Sequence, residues 1–340
     1  MTAHLARRLA WCAAVVWAAV SITFAVDALL PGDPARMFAG PEARPADVAR
    51  IRQQLGLDRP PLVRYGLFMR RLVHLGPRAA DPTPPSGADH GTCAVVLSIG
   101  PTALHVDLGK SFQLQQPVAR AIAARLPRTL ALAVAGVLVQ ILAGAGAGAL
   151  AGLARGSWLD RVLVGASLIG ISAPTFVVAL LLQYVLAYRL RLLPLDGFGS
   201  TLGEHARCIV LPAITLGVSG AAYYTRIMRD EMSVLVRQDW IRTARAKGAG
   251  AARVAVRHAM RNALVPVTAA AGLDFGALMG GAIVTETVFR WPGLGDLSVK
   301  ATLNRDGPLL VGCVIVASVV VVCTNVVVDL VCAGLDPRTR

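Results

Sequence analysis

Charge is scarce in this sequence. Asp, Glu, Lys and Arg make up 16% of its 340 residues, where a soluble domain carries about a quarter. With 55% hydrophobic residues and a mean hydropathy of +0.59, that scarcity excludes a soluble globular protein and makes the bilayer the solvent. Acidic residues are the scarcer sign, 20 against 34 Lys and Arg, for a net charge of +14. In a soluble chain such an excess points to nucleic acid. Among long apolar runs it reads as the positive-inside bias of cytoplasmic loops, so no nucleic-acid partner is expected.

Catalytic and metal signatures are missing too. There is no H-E-x-x-H, no paired C-x-x-C and no G-x-S-x-G. Gly109-Lys110-Ser111 has the ending of a phosphate-binding loop, but Leu104 stands where the first glycine would be needed. The six histidines are scattered, and no metal site is expected. Of six cysteines, Cys12, Cys313, Cys323 and Cys332 lie in apolar runs as small fillers. Cys93 and Cys208 fall in segments expected outside the membrane, where a disulfide needs Cα atoms within about 7 Å. No catalytic site is expected on this chain.

What is present is a set of six apolar runs: Leu9–Leu30, Arg128–Leu153, Val162–Tyr188, Ile209–Thr225, Leu264–Val288 and Leu309–Val331. Each approaches the roughly 20 residues that cross a bilayer as a helix. The first run is longer than a signal-peptide core and has no A-x-A-like cleavage site after it, so a retained helix is expected. The expectation is an all-α polytopic membrane protein with six transmembrane helices and both termini cytoplasmic. Between the fourth and fifth runs, Arg226, Arg229, Arg237, Arg242, Arg245, Lys247, Arg253, Arg257 and Arg261 outnumber Asp230, Glu231 and Asp239. That loop is therefore placed in the cytoplasm.

Four regions follow: an N-terminal tail with the first helix over 1–30; an extracytoplasmic segment over 31–127; a five-helix core over 128–331 with a cytoplasmic loop at 226–263; and a cytoplasmic tail at 332–340. The second region is too polar and proline-rich to enter lipid. Within it Ala46–Leu55 is expected to be helical, DRPPLVRYGLFMRRLVHL to be an amphipathic helix, PRAADPTPPSGADHG to be a loop and CAVVLSIG to be a short strand.

Small residues repeat every four positions in the second run (Gly144, Gly148, Gly152, Gly156) and the fifth (Gly272, Gly276, Gly280). That spacing puts them on one helix face, for close helix packing. Polar groups inside the apolar runs are few, and Gln140, Gln183 and Asp274 are candidates for lining a pathway. For Asp274 a hydrogen bond that fixes helix packing is an equal reading.

The loop from Asp239 to Pro266 reads DWIRTARAKGAGAARVAVRHAMRNALVP, basic and alanine-rich, with Gly248 and Gly250 between two helical stretches. Such an excursion offers a face to a cytoplasmic partner, or a basic surface to anionic lipid. Its segments RTARAKG (Arg242 to Gly248) and RHAMRNALVP (Arg257 to Pro266) resemble the signature loop of ABC-importer permeases, in the form of the dipeptide, oligopeptide and nickel subfamily, B-type subunit. The general family pattern opens Glu-Ala-Ala where this chain has Arg242, Thr243 and Ala244; the arginine matches the peptide-permease variant. Further resemblance lies in LLPGDP (Leu29 to Pro34), LGLDRP (Leu55 to Pro60), DLGKSF (Asp107 to Phe112), ETVFRWPGLG (Glu286 to Gly295), RDGP (Arg305 to Pro308) and DPR (Asp336 to Arg338). About 30 residues around Gly76 to Val106 are absent from the family pattern and read as an outer-surface insertion.

The resemblance implies a type I ABC importer permease fold in the bacterial inner membrane. It assigns Arg242, Thr243, Ala244, Arg245, Ala246, Lys247 and Gly248 to a coupling helix seated on an ATPase, supported by Arg257, His258, Arg261, Asn262 and Pro266. It further implies a second permease subunit as heterodimer partner, two ATPase subunits that hold ATP and Mg, an extracytoplasmic solute-binding protein, and no cofactor on this chain. The rival reading is an ion-coupled secondary transporter with Asp274 or Glu286 as the coupling residue.

Overall fold

The computed structural model describes residues 2–29, 33–40, 42–54, 56–77, 93–99, 102–250 and 253–335. The chain divides into two compact units, Met1–Pro127 with Leu297–Val319, and Arg128–Asp296 with Val320–Arg340.

The first unit begins with helix α1 (Thr2–Leu29), followed by α2 (Pro34–Ala39), α3 (Pro45–Gln54) and α4 (Pro61–Leu72). Asp33 starts α2 by accepting the Ala35 N–H, and Pro34 fits the first turn, where no amide proton is needed. The same carboxylate takes the Arg52 guanidinium at 2.5 Å, tying α3 to the start of α2. α4 is the expected amphipathic helix, and its apolar face lies on α1. Phe24 meets Tyr65 edge-on at 5.3 Å and Phe68 stacked at 6.0 Å, and Ser21 shares a 2.6 Å hydrogen bond with Tyr65.

The chain then departs from an all-α expectation. Strands β1 (Val73–Pro77), β2 (Cys93–Ile99) and β3 (Thr102–Asp107) form an antiparallel sheet in the order β1-β3-β2, with Val73 opposite Val106 and Cys93 opposite Asp107. The strand expected at CAVVLSIG forms as β2, and the insertion contributes two strands, β3 pairing with β1 and β2 with the other edge of β3. Residues 78–92, most of the stretch read as a loop, lie outside the described residues, as does the side chain of Cys93. After β3, the DLGKSF turn is held by Asp306. Ser111 Oγ donates to Asp306 Oδ2 at 2.5 Å, and the Gln113 N–H to the same oxygen at 3.0 Å. Asp306 Oδ1 also takes the Leu309 N–H at the start of the last long helix. Two segments almost 200 positions apart thus share one buried carboxylate.

The second unit contains the rest of α5 (Val118–Leu153), then α6 (Trp158–Ser172), α7 (Thr175–Leu182) continuing as a π-helix over Gln183–Arg189, α8 (Leu202–Leu235), α9 (Asp239–Ala246), the π-wound α10 (Val254–Met260), α11 (Arg261–Gly281) and α12 (Ile283–Val288). The start of α13 (Leu294–Leu303) and the end of α14 (Gly307–Leu335) complete it. Among the described residues three helices are long and apolar enough to span: Val118–Leu153, Leu202–Leu235 and Gly307–Val328. A fourth is available if α6 and α7–π count as one.

Four boundaries differ from the sequence expectation. α5 starts at Val118, ahead of Pro127 rather than after it. The third run is not one straight span: it bends by 104° between Ser172 and Thr175, where Pro174 has no amide proton for a helical bond. The fifth run is interrupted at Ala282. α8 is far longer than Ile209–Thr225; its 34 residues reach about 51 Å at 1.5 Å per residue, well beyond a hydrocarbon core of about 30 Å. Residues 226–235, expected in a loop, are the last turns of this helix. A capping box at its start, Thr201 with Glu204, fixes where it begins.

α5 packs on α8 through its glycines. A Cβ at Gly144 would stand 2.4 Å from the Ala221 carbonyl oxygen, one at Gly148 2.4 Å from that of Thr225, and one at Gly152 2.7 Å from Met232 Cβ. Gly156 does not share this face. α5 has ended at Leu153, and Gly156 takes a turn conformation with φ of +83° and open space around it. In α11, a Cβ at Gly272 would meet Val328 of α14 at 2.0 Å, whereas Gly276 has only ordinary contacts to Asn325 and Val321. The surroundings of Gly280 lie outside the described residues.

Candidate functional site

The last turns of α8 pass through a turn at Arg237 and Gln238 into α9, an eight-residue helix. One residue anchors it. Ile241 is fully buried in a cluster with Met228, Met232, Val254, Ala259, Ala263 and Val267. Ala244, one turn further on, packs against the same cluster. The opposite face is open: Arg242, Thr243, Ala246 and Lys247 are exposed. Arg242 makes a 3.6 Å pair with Asp239, both in solvent, which contributes little to stability. The side chain of Arg245 lies outside the described residues.

The helix is closed by a glycine in the left-handed region. Gly248 has φ of +85°, and the Ala249 N–H reaches back to the Ala244 carbonyl at 3.1 Å, a Schellman closure. Among the described residues, no atom beyond its chain neighbours stands within 4 Å of a Cβ built on Gly248, so the backbone requires glycine there. α10 and α11 then carry the second half of the signature. Arg257 and His258 fall in the π-helix, with side chains outside the described residues, while Arg261 and Asn262 are exposed at the start of α11. Pro266 lies inside α11 and leaves the helix one internal hydrogen bond short.

Just above this cluster sits a charge pair that sequence reasoning missed. Arg229 on α8 donates from Nε to Asp160 Oδ1 at 2.6 Å and from Nη2 to Asp160 Oδ2 at 2.8 Å. Asp160 lies in the first turn of α6, where its Oδ2 also takes the Gly156 N–H. Arg155 donates to Ser233 on the same stretch of α8. The available signal was Ser157 followed three residues later by Asp160, a helix-start pattern.

The polar residues considered for a pathway have partners. Asp274 Oδ2 accepts from Tyr224 Oη at 3.1 Å, linking α11 to α8. Gln183 Nε2 donates to the carbonyls of Leu195 and Val288. Gln140 is buried and donates to the Leu216 carbonyl at 3.1 Å, while its Oε1 has no partner among the described residues. Gly220 makes room for it, since a Cβ there would lie 2.1 Å from Nε2. Glu286 is fully buried and accepts from Thr129 Oγ1 at 2.7 Å and the Asp296 N–H at 3.0 Å, while Thr129 Oγ1 takes the Leu294 N–H. Gly293 is needed there, because a Cβ would fall 2.3 Å from the carboxyl carbon. The ETVFRWPGLG segment is thus folded around its own glutamate, and Trp291 Nε1 secures it to the Arg128 carbonyl. Cys208 is a free thiol.

Residues 140–340, which hold α6 to α12 and all of these contacts except those of Arg128 and Thr129, match the family described as "Binding-protein-dependent transport system inner membrane component". Residues 1–89 match "Binding-prot-dependent transport system membrane comp, N-term". This chain belongs to that transport family. It is a permease of the ABC peptide/oligopeptide type and a multi-pass inner-membrane protein. A putative peptide transport system permease protein of Brucella abortus (strain 2308) is 37% identical over 344 residues, covering 100% of this permease and 99% of the relative. The glutathione transport system permease protein GsiC of Salmonella paratyphi A is 35% identical over 312 residues, covering 92% and 90%. A chain of the MetNI methionine ABC transporter, solved in inward-facing conformations, superposes with a TM-score of 0.53 at 16% identity, over 64% of this permease and 97% of that chain. That likeness establishes the fold of an ABC importer permease.

Proposed function

We propose that this permease forms one half of the transmembrane pathway of an ATP-driven importer for peptides or glutathione-like solutes, with α9 as its coupling helix. The observation that carries the reading is the two-sided character of α9. Ile241 locks one face into the α8–α10–α11 cluster, while Arg242, Thr243, Ala246 and Lys247 leave the other open to a partner. A helix held by a buried side chain moves with the body it is rooted in. An ATPase gripping its exposed face therefore passes its own closure to the permease, shifting the balance between inward-open and outward-open states.

In this reading α1, α5, α6–α7, α8, α11–α12 and α14 make six passages, both termini and α9 are cytoplasmic, and residues 31–127 lie outside. A second permease completes the pathway, two ATPases hold ATP and Mg, and a solute-binding protein delivers the solute. The solute class rests on the names of the Brucella and Salmonella relatives. Gln140, Gln183 and Asp274 are the polar groups nearest to a pathway role. The hydrogen bonds that already engage Asp274 and Glu286 weigh against ion coupling through either carboxylate.

The test is cysteine-directed cross-linking in the complex assembled with its second permease and ATPases. Lys247→Cys is expected to cross-link to an ATPase subunit, in a yield that changes when ATP is added. Cross-linking from Leu202→Cys at the far end of α8, with none from Lys247→Cys, would overturn the assignment.

A further inference from the structure

The first unit holds a half-open cavity of about 570 Å³ that neither the coupling surface nor the pathway reading uses. Its walls come from four places: α1, the α3–α4 turn with α4, the turn after β3, and the start of α14. The charges on those walls are lopsided. Among the described residues, Arg59, Arg64, Lys110 and Arg305 line it, with Asp107 as the one carboxylate. Asp107 is engaged by its own turn, because Oδ1 accepts the Gly109 N–H at 2.8 Å. Arg59 and Arg64 from one chain segment and Lys110 from another bring like charge to the same cavity, an arrangement that an anion between them relieves.

The rest of the lining identifies which kind of anion. Phe24 and Phe68 form an apolar wall beside the cations, and the Arg64 guanidinium stands 5.9 Å from the Phe24 ring centroid. Phe24 belongs to the apolar stretch Ala13–Val26 of α1, whose Ile22 and Val26 are exposed. A small soluble anion would have no use for that wall. An amphiphile with a phosphate at one end and hydrocarbon at the other uses both, with guanidiniums matching phosphate oxygens in a two-pronged geometry. We propose that this cavity is a binding site for the phosphate headgroup of an acidic phospholipid, whose acyl chains lie along α1.

The experiment uses the full chain purified with its partner subunits in detergent. Retention of phosphatidylglycerol and of phosphatidylcholine is measured by native mass spectrometry, with inorganic phosphate as competitor. Phosphatidylglycerol is expected to be retained roughly tenfold better, and Arg59→Gln/Arg64→Gln to weaken it roughly thirtyfold, as the loss of two cations near a phosphate predicts. Lys110→Gln, at an exposed residue whose loss leaves folding intact, is expected to weaken it roughly fivefold. Arg70→Gln, exposed on α4 but outside the cavity, should leave retention unchanged. Displacement of the lipid by millimolar phosphate would assign the site to the phosphate group alone; resistance to it would assign the site to the whole lipid. Equal retention of the two lipids, or an unchanged preference in Lys110→Gln, would overturn the proposal.

Discussion

Arg229 and Asp160 form a two-pronged ion pair, 2.6 and 2.8 Å between heavy atoms, that joins the first turn of α6 to α8 one turn before Met232 enters the cluster that roots α9. The side chain of Asp160 is 4% exposed and that of Arg229 25%. The pair therefore binds two helices next to the cluster that holds α9 while remaining partly shielded from water.

Removing one partner leaves the other charge stranded. Asp160→Ala should destabilise the permease by about 2 kcal/mol, below the 3–5 kcal/mol of a fully enclosed pair because Arg229 keeps some water contact. Thermal unfolding of the detergent-solubilised chain measures this. The exchange Asp160→Arg/Arg229→Asp should recover part of the loss, and an exchange no better than the single variants would show that the pair is not the stabilising element.

Gly248 separates backbone strain from crowding. A β-branched residue at φ of +85° costs about 1–2 kcal/mol, although the surrounding space is empty. Gly248→Val should therefore weaken ATPase co-purification and uptake, while Gly248→Asn, which tolerates that region, should retain most of both. Equal behaviour of the two variants would count against the backbone explanation.

The α5–α8 contact is sensitive to a single methyl. Gly148→Ala puts a carbon about 2.4 Å from the Thr225 carbonyl oxygen, so the helices must separate, at a cost of about 1–3 kcal/mol. Gly146→Ala meets nothing within 4 Å and serves as the neutral control. Unfolding midpoints of the two variants give the comparison.

Glu286 distinguishes a structural carboxylate from an ion-coupling one. Glu286→Ala strands Thr129 and the Asp296 N–H and should lower stability by about 1–3 kcal/mol. Glu286→Gln keeps one acceptor oxygen for the Asp296 N–H and turns its NH2 toward the Thr129 hydroxyl, and its uptake should depend on ATP and survive collapse of proton and sodium gradients. Uptake abolished by ionophores at constant ATP would restore the secondary-transporter reading.

Much of this was legible in the letters. The apolar runs located the long helices because a bilayer demands about 20 residues in each, and the RTARAKG and RHAMRNALVP segments pointed to the permease family before any contact was known. The four-residue spacing of Gly144, Gly148 and Gly152 predicted a packing face, but nothing in the spacing told where the helix would stop, so Gly156 was counted with them. The helix breaks at Pro174 and Ala282 fall inside runs that stay apolar on both sides, so each run read as one span.

The sequence by itself determined the solvent and the family, because both follow from composition, run length and local motifs. Only the tertiary structure decided which polar residues have partners. Asp160 with Arg229, Ser111 with Asp306 and Thr129 with Glu286 are 69, 195 and 157 positions apart. A short-range pattern carries no information about which buried charge will be satisfied by which distant donor. That choice is made when the helices pack, since a carboxylate removed from water has to find its hydrogen bonds wherever the fold brings them.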